Sequence, residues 1–241
     1  MSFFSIITIN YNNLEGLIHT FNSVICQTNT AFEFIVIDGG STDGSVPFLQ
    51  ANTTKLTYWI SEKDNGVYHA MNKGIDKSNS EYVLFLNSGD CFADEKVLEN
   101  VSTFVTGKPD ILYGCHLWKQ SGERWNPKVG YKFREIVTYT PVSHQATFYK
   151  RSILTNSARF DEAFKIISDW GLFITFLLQG KKIEKISLDI CIAEEPGESN
   201  IDLNKILVER KQFLIKHHFT RYLLYLIVEK PILFLKRKIN Q

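Results

Sequence analysis

The acidic residues of this chain that could do chemistry gather where apolar runs end. In residues 81–94 a continuous apolar run, Tyr82-Val83-Leu84-Phe85-Leu86, gives way at once to Asn87-Ser88-Gly89-Asp90. A short apolar run bounded by turn residues reads as a strand buried on both faces. Such a strand releases its polar residues at its carboxyl end, where open α/β sheets hold ligands. Asp90 is therefore expected in a crevice. The plainer alternative is a loop turned by Ser88-Gly89, in which Asp90 bonds nearby amides. Three further runs end the same way, at Asn10-Tyr11-Asn12, Asp38-Gly39-Gly40 and Glu62-Lys63-Asp64. In a parallel sheet these ends share one edge, so the polar clusters converge. The first turn, Tyr11 to Gly16, has no G-x-G-x-x-G and places Glu15 where a phosphate would sit, which argues against a dinucleotide site. The glycines follow the second run instead, interleaved with aspartates. A diphosphate there would meet carboxylates, so a divalent cation is expected between them.

The elements that must position these groups alternate. Strands are predicted at 3–10, 34–37, 56–61, 82–86 and 111–115. Helices are predicted at 14–27 with Asn13 as N-cap, around Phe48 and Leu49, at 67–77 and at 94–105. This is the spacing of βαβ units and predicts an α/β fold with a mostly parallel sheet flanked by helices. Later, Asp169 heads an apolar helix through Trp170, Phe173 and Leu177 that closes at Gly180. Ser168 or Asp169 would serve there as N-cap, and a helix N-terminus keeps a carboxylate ionised. The 241 residues, 44% of them hydrophobic, suffice for a sizeable core, and a net charge of +1 excludes bulk nucleic-acid binding. Cys26, Cys91, Cys115 and Cys191 form no C-x-x-C pair and read as reduced, buried thiols. Residues 1–5 lack a basic stretch, and no apolar run nears the roughly 20 residues of a membrane span, so a cytoplasmic protein is expected.

Several segments, in order, resemble the family 2 glycosyltransferases. These are Asn10-Tyr11-Asn12, Asp38 to Gly44, Ser61 to Gly74, Leu86 to Asp90, His144 to Tyr149, and Ser168-Asp169-Trp170. The closest likeness is to the transferases of bacterial exopolysaccharide and colanic-acid synthesis. It covers residues 3–200 and implies the GT-A fold and an inverting transfer from a nucleotide-diphosphate sugar to a glycan or lipid-linked glycan. It implies that Tyr11 stacks on the base and Asp38 bonds its edge. Asp64, Gly66 and Asn72 would line the donor side with Asn87 and Ser88, and Asp90 would hold Mn2+ or Mg2+. His144, Gln145 and Trp170 would lie on the acceptor side, with Asp169 as general base. The chain departs from the family at Asn87, where the Asp-x-Asp metal motif begins with Asp, and at His69, where close relatives usually carry Asp. Pro196 stands where the loop over the diphosphate usually has glycine. The rival reading is an inactive GT-A domain that binds nucleotide sugar or glycan.

The catalytic domain is expected at 1–204, its nucleotide half at 1–115 and its acceptor half at 116–204. The acceptor half carries Trp118, Trp125, Tyr131, Tyr139 and Pro141. A basic helical tail follows at 205–241, with nine Lys or Arg against two Glu, a net +7. Two roles stay open for it. It could lie on anionic lipid at the inner face of the cytoplasmic membrane, or it could pack back on the domain or in a homodimer seam.

Overall fold

The computed structural model describes residues 3–127, 142–194 and 202–217. The chain divides into two compact units, Met1–Pro196 and Gly197–Gln241. In the first unit, β1 (Phe4–Asn10) is buried along its whole length and sits inside the sheet. It pairs in parallel with β2 (Phe32–Asp38) on one side and β4 (Tyr82–Phe85) on the other, and β3 (Tyr58–Ser61) extends the row in parallel from β2. Alternation along β1 divides the core, since successive side chains leave a strand on opposite faces. Phe4 and Ile6 join Leu17, Phe21 and Val24 of α1 (Leu14–Ile25), while Ile7 and Ile9 join Met71 and Ile75 of α3 (Val67–Lys77). Gly74 lets α3 close on the sheet, because a Cβ there would stand 2.4 Å from Ile7 Cγ2.

The helices α2 (Ser45–Ala51) and α4 (Val97–Ser102) follow β2 and the short β5 (Cys91–Phe92). The sheet then departs from a purely parallel order. The strand β6 (Ile111–Trp118) runs parallel to β9 (Ile183–Ala193), but β8 (Thr147–Lys150) inserts antiparallel between β4 and β6. β7 (Arg124–Trp125) pairs antiparallel with β6, and β5 with β9. The mostly parallel sheet read from the sequence is thus a mixed one. The helix expected at 94–105 is confined to α4, followed by a single 3-10 turn. Helices α5 (Arg151–Asn156) and α6 (Ser168–Leu178) complete the first unit. Cys91, Cys115 and Cys191 are buried free thiols, whereas Cys26, at the end of α1, is exposed.

Ile167, not Ser168 or Asp169, is the N-cap of α6, so Asp169 falls in the first turn. In the second unit, α7 (Leu203–Lys216) starts at Asp202, whose carboxylate caps the amides of Asn204 and Lys205. Among the described residues no helix is long and apolar enough to cross a membrane. Tyr131, Tyr139, Pro141, Pro196 and most of the basic tail lie outside the described residues.

Candidate active site

The parallel register aligns Asn10, Asp38 and Ser61 at the carboxyl ends of β1, β2 and β3. The Asp38 carboxylate ties this row together. It accepts from Asn10 Nδ2 at 2.7 Å, Ser61 Oγ at 2.6 Å, Ser41 Oγ at 2.6 Å, and the amides of Ser41 and Gly40 at 2.9 and 3.2 Å. Burial alone would raise its pKa, but the hydroxyls, amides and Asn10 outweigh that and hold it below the usual range. Asp43 is likewise taken up by Ser45 and the Leu14 amide, and its pKa is lowered first by the Ser45 hydroxyl. Both carboxylates are thus held ionised and serve the loop itself, so negative charge stays beside the crevice.

Beyond this row the strand ends enclose a cavity of about 710 Å³, lined by Tyr11, Gly39, Gly40, Lys63, Asp64, Gly66 and Asn87 among others. Its size suits a nucleotide-scale ligand, for which pockets of roughly 300–1,000 Å³ are usual. Tyr11 is 67% exposed, with its ring against Gly39. Asp64 pairs with Lys73 Nζ at 2.5 Å through Oδ1, while its Oδ2 faces Gly39. His69 Nδ1 lies 3.3 Å from the same Oδ1 and accepts the Asn65 amide at 3.3 Å, closing the loop before α3. Of the donor-side residues named from the sequence, Tyr11, Asp64, Gly66 and Asn87 line the cavity, and Asp38 braces it from behind. Asn72 is buried away from it, bonded to Phe160 O and Glu162 Oε1. Ser88 Oγ is buried without a hydrogen-bond partner.

The Asn87–Asp90 turn is pinned from α1. Thr20 Oγ1 accepts the Gly89 amide at 3.0 Å and donates to Asp90 O at 2.6 Å, and Asn13 Nδ2 donates to Ser88 O at 3.1 Å. Gly89 has φ +108°, a conformation open to glycine. Asp90 is 6% exposed, and burial raises its pKa to about 6 against the opposing His144 charge, the Glu194 amide and the Gln145 side chain. A carboxylate kept from water in this way, in the same turn as the unpartnered Ser88 Oγ, fits a divalent cation. Among the described residues no three His, Cys, Asp or Glu side chains cluster as ligands. Asp90 would then be the protein's carboxylate, with phosphate oxygens and water completing the shell as in magnesium-type sites.

His144 stands on the 3-10 turn His144–Ala146, immediately before β8. Its Nδ1 lies 3.1 Å from Asp169 Oδ2, and its Nε2 lies 3.2 Å from Asn87 Nδ2. Asp169 Oδ1 accepts from the Trp170 amide at 2.8 Å and from Tyr68 OH at 3.2 Å. Burial would raise the Asp169 pKa, but His144, the Trp170 amide and Tyr68 bring it below the usual carboxylate range. The structure thus joins His144, Asp169 and Asn87 in one chain of contacts, with Gln145 reaching Asp90 beside it. Trp170 contributes its backbone there, while its side chain is 2% exposed. Sequence reasoning missed Tyr68 and Thr20. Tyr68 lay within the Gly66-Val67-Tyr68-His69 segment already singled out, but Thr20 carried no local signal.

The model of the family described as "Glycosyl transferase family 2" matches residues 5–164. An uncharacterized glycosyltransferase of Mycobacterium tuberculosis is 34% identical over 170 residues, which are 68% of this chain and 65% of that protein. The chain therefore matches just under two thirds of that relative's length. A PGL/p-HBAD biosynthesis glycosyltransferase of Mycobacterium bovis is 28% identical over 71% of this chain and 68% of its own. Among solved structures, S. aureus TarS (residues 1–349) in complex with UDP-GlcNAc superposes with a TM-score of 0.68 at 22% identity, over 83% of this chain and 60% of that one. The mannosyltransferase PcManGT of Pyrobaculum calidifontis, in complex with GDP-Man and Mn2+, gives 0.62 at 15% identity, over 82% and 58%. These likenesses identify the fold as GT-A-like, a curled mixed sheet flanked by helices. Family match and sequence identity agree, and the chain belongs to glycosyl transferase family 2.

Proposed function

We propose that the chain is an inverting glycosyltransferase that moves a sugar from a nucleoside-diphosphate donor to a glycan or lipid-linked glycan in surface-polysaccharide or glycolipid synthesis. One observation carries this reading: Asn87 lines the cavity at the strand ends and also touches His144, the partner of Asp169. Donor cavity and proton-accepting groups therefore share a wall, as a direct displacement requires. Tyr11 offers an exposed ring for a base, and Lys63 offers a charged donor for ribose or phosphate. Asp169 drives loss of the acceptor proton as the acceptor oxygen attacks the anomeric carbon opposite the leaving group. Asp90 would hold a divalent cation, which supplies charge neutralisation of the departing diphosphate. The glycosyl donors bound by TarS and PcManGT, UDP-GlcNAc and GDP-Man, make uridine and guanosine diphosphate sugars the first to test. The net +7 of residues 205–241 suits an acceptor presented at an anionic lipid surface.

The test is nucleoside-diphosphate release by the full chain from UDP-GlcNAc, UDP-glucose, UDP-galactose and GDP-mannose, with and without Mn2+. Thermal shift on the same panel reports binding, and a ligand at a hundred times its Kd should add about 2.7 kcal/mol. Metal-stimulated release from at least one donor, with inversion at the anomeric carbon of the product, is the expected result. A donor that raises the melting temperature yet is never cleaved would establish the inactive binding module instead.

A further inference from the structure

Two neighbouring side chains of one short turn reach two different carboxylates. On the 3-10 turn His144–Ala146, His144 Nδ1 lies 3.1 Å from Asp169 Oδ2. An ionised carboxylate can only accept, so Nδ1 is the donor there, whichever way the Asn87 amide is turned. The next side chain, Gln145, bonds Asp90. A carboxylate also fixes the orientation of this amide. Its NH2 must face Asp90, which leaves Oε1 to accept the Ser143 hydroxyl at 2.6 Å. Both ends of the Gln145 amide are thus taken up within the protein.

The turn is itself held firmly. Thr147 Oγ1 donates to Ser143 O at 2.6 Å, and the Ala146 amide donates to the same carbonyl at 3.1 Å. Ala146 and Thr147 are fully buried, and β8 begins at Thr147. Ala146 belongs to the core that also contains Leu86 and Ala193, the residues just before Asn87 and Glu194. From the second of these segments the Glu194 amide faces Asp90 Oδ1 at 3.4 Å.

Resting on the glycosyl-transfer reading, we propose that the segment Ser143–Ala146 is a crossbar that sets the two reacting carboxylates against each other. Gln145 positions Asp90, which holds the divalent cation, and His144 positions Asp169, which takes the acceptor proton. Both side chains act through a carboxylate. A ligating carboxylate keeps its lone pairs aimed at the ion when it is itself hydrogen-bonded, and loss of such a partner typically costs about 10- to 100-fold in metal affinity. A general base must likewise be held within hydrogen-bond reach of the proton it takes. Displacement at the anomeric carbon needs the leaving diphosphate and the entering oxygen on opposite sides at once. Anchors that are adjacent in the chain fix that spacing more tightly than two separate loops would. The family resemblance places both residues on the acceptor side, whereas the bonding gives Gln145 to the cation's carboxylate.

The crossbar makes adjacent residues fail in different ways, and the full chain with UDP and Mn2+ can show it. Gln145→Met keeps the length and removes the donor. It should raise the Mn2+ Kd, read by electron paramagnetic resonance at saturating UDP, about 10-fold or more. Ser143→Ala frees the far end of that amide and should raise the same Kd by a smaller factor. His144→Ala should leave the Mn2+ Kd alone but slow nucleoside-diphosphate release from the wild type's best donor, with water as acceptor. His144→Asn, whose amide nitrogen can stand in for Nδ1, should recover part of that rate, which a ring needed only to fill space would not allow. Should Gln145→Met not fold, Ser143→Ala decides in its place. An Mn2+ Kd at the wild-type value in the folded Ser143 and Gln145 variants would overturn the inference and leave glycosyl transfer standing. So would an Mn2+ Kd that rises equally in His144→Ala, or a His144→Ala rate close to wild type. A wild type that binds Mn2+ with UDP but cleaves no nucleotide sugar would overturn the glycosyl-transfer reading, while a raised Kd in Gln145→Met would still support the hold on Asp90.

Discussion

Tyr68 and Asp169 are 101 positions apart in the chain, yet the Tyr68 hydroxyl donates to Asp169 Oδ1 at 3.2 Å and to Ile166 O at 2.8 Å. Tyr68 lies in the first turn of α3, directly after the Asp64–Gly66 wall of the cavity. A single ring thus spans from the donor loop to the carboxylate on the acceptor side. Its core face stacks on Phe160 at 5.5 Å, which Phe would keep. Tyr68→Phe should cost about 1 kcal/mol of stability, the net value of a hydrogen bond. Its larger effect should be a lower kcat with donor Kd unchanged, because the carboxylate loses a fixed partner while the cavity keeps its lining. Steady-state kinetics beside calorimetric donor binding would check this, and a change confined to Kd would count against it.

Asp90 makes a separate demand. The residue is buried, so Asp90→Ala removes a desolvated carboxylate and should leave the melting temperature equal or higher without metal. Calorimetry of nucleoside diphosphate should lose its dependence on Mn2+ in this variant. An unchanged Mn2+ dependence would show that the cation sits elsewhere.

The edge where ligand-facing residues meet could be read from the sequence because each strand announces its carboxyl end with an abrupt change of polarity. Residues 67–77 were legible as a helix for the same local reason, and α3 spans Val67–Lys77. The apolar run after His144-Gln145 reads as a strand, and β8 lies there, but its antiparallel place was not legible, since its four residues carry no mark of direction and its neighbours β4 and β6 lie far away in the chain. Nor could sequence show that Asp38 is spoken for: one of its donors, Ser61, stands 23 residues on. The contact of His144 with Asp169 was equally silent, because neither motif encodes the other. Residue types at strand ends predict where a site forms, but which polar atoms remain free in it depends on partners from distant elements.

His116 carries a prediction about pH. It is 3% exposed between Trp118 and Trp125, with ring centroids 4.3 and 4.9 Å away, and neither ring nitrogen has a hydrogen-bond partner. Burial, with a smaller push from His144, lowers its pKa from 6.5 to about 4. A histidine depressed in the fold favours the folded state fully above its unfolded pKa, and that contribution is lost as pH falls toward the folded value. Wild-type stability should therefore decline between about pH 6.5 and 4, with at most about 3 kcal/mol of the loss due to this ring. His116→Phe keeps the aromatic stack and removes both unpaired nitrogens. It should raise the melting temperature, and by more at pH 5 than at pH 8. An equal shift at both values would mean that His116 does not titrate in this window.

Asp169 faces two demands that one substitution separates. Were it mainly a helix-end residue, Asn would serve nearly as well, and the true cap position is held by Ile167 in any case. An asparagine in its place could still accept the Trp170 amide and the Tyr68 hydroxyl through its carbonyl, so Asp169→Asn should shift the melting temperature only slightly. Toward an acceptor hydroxyl the change is severe. An amide cannot take a proton, so the attacking oxygen would lose its general base. Turnover should then fall by on the order of 10² to 10⁴, equivalent to about 3–5 kcal/mol of barrier. Donor Kd should hold, because Asp169 is not among the residues lining the donor cavity. Melting temperature, donor Kd and turnover measured on this one variant decide the matter. Turnover within a few-fold of wild type would remove Asp169 from the reaction, whatever the other two show.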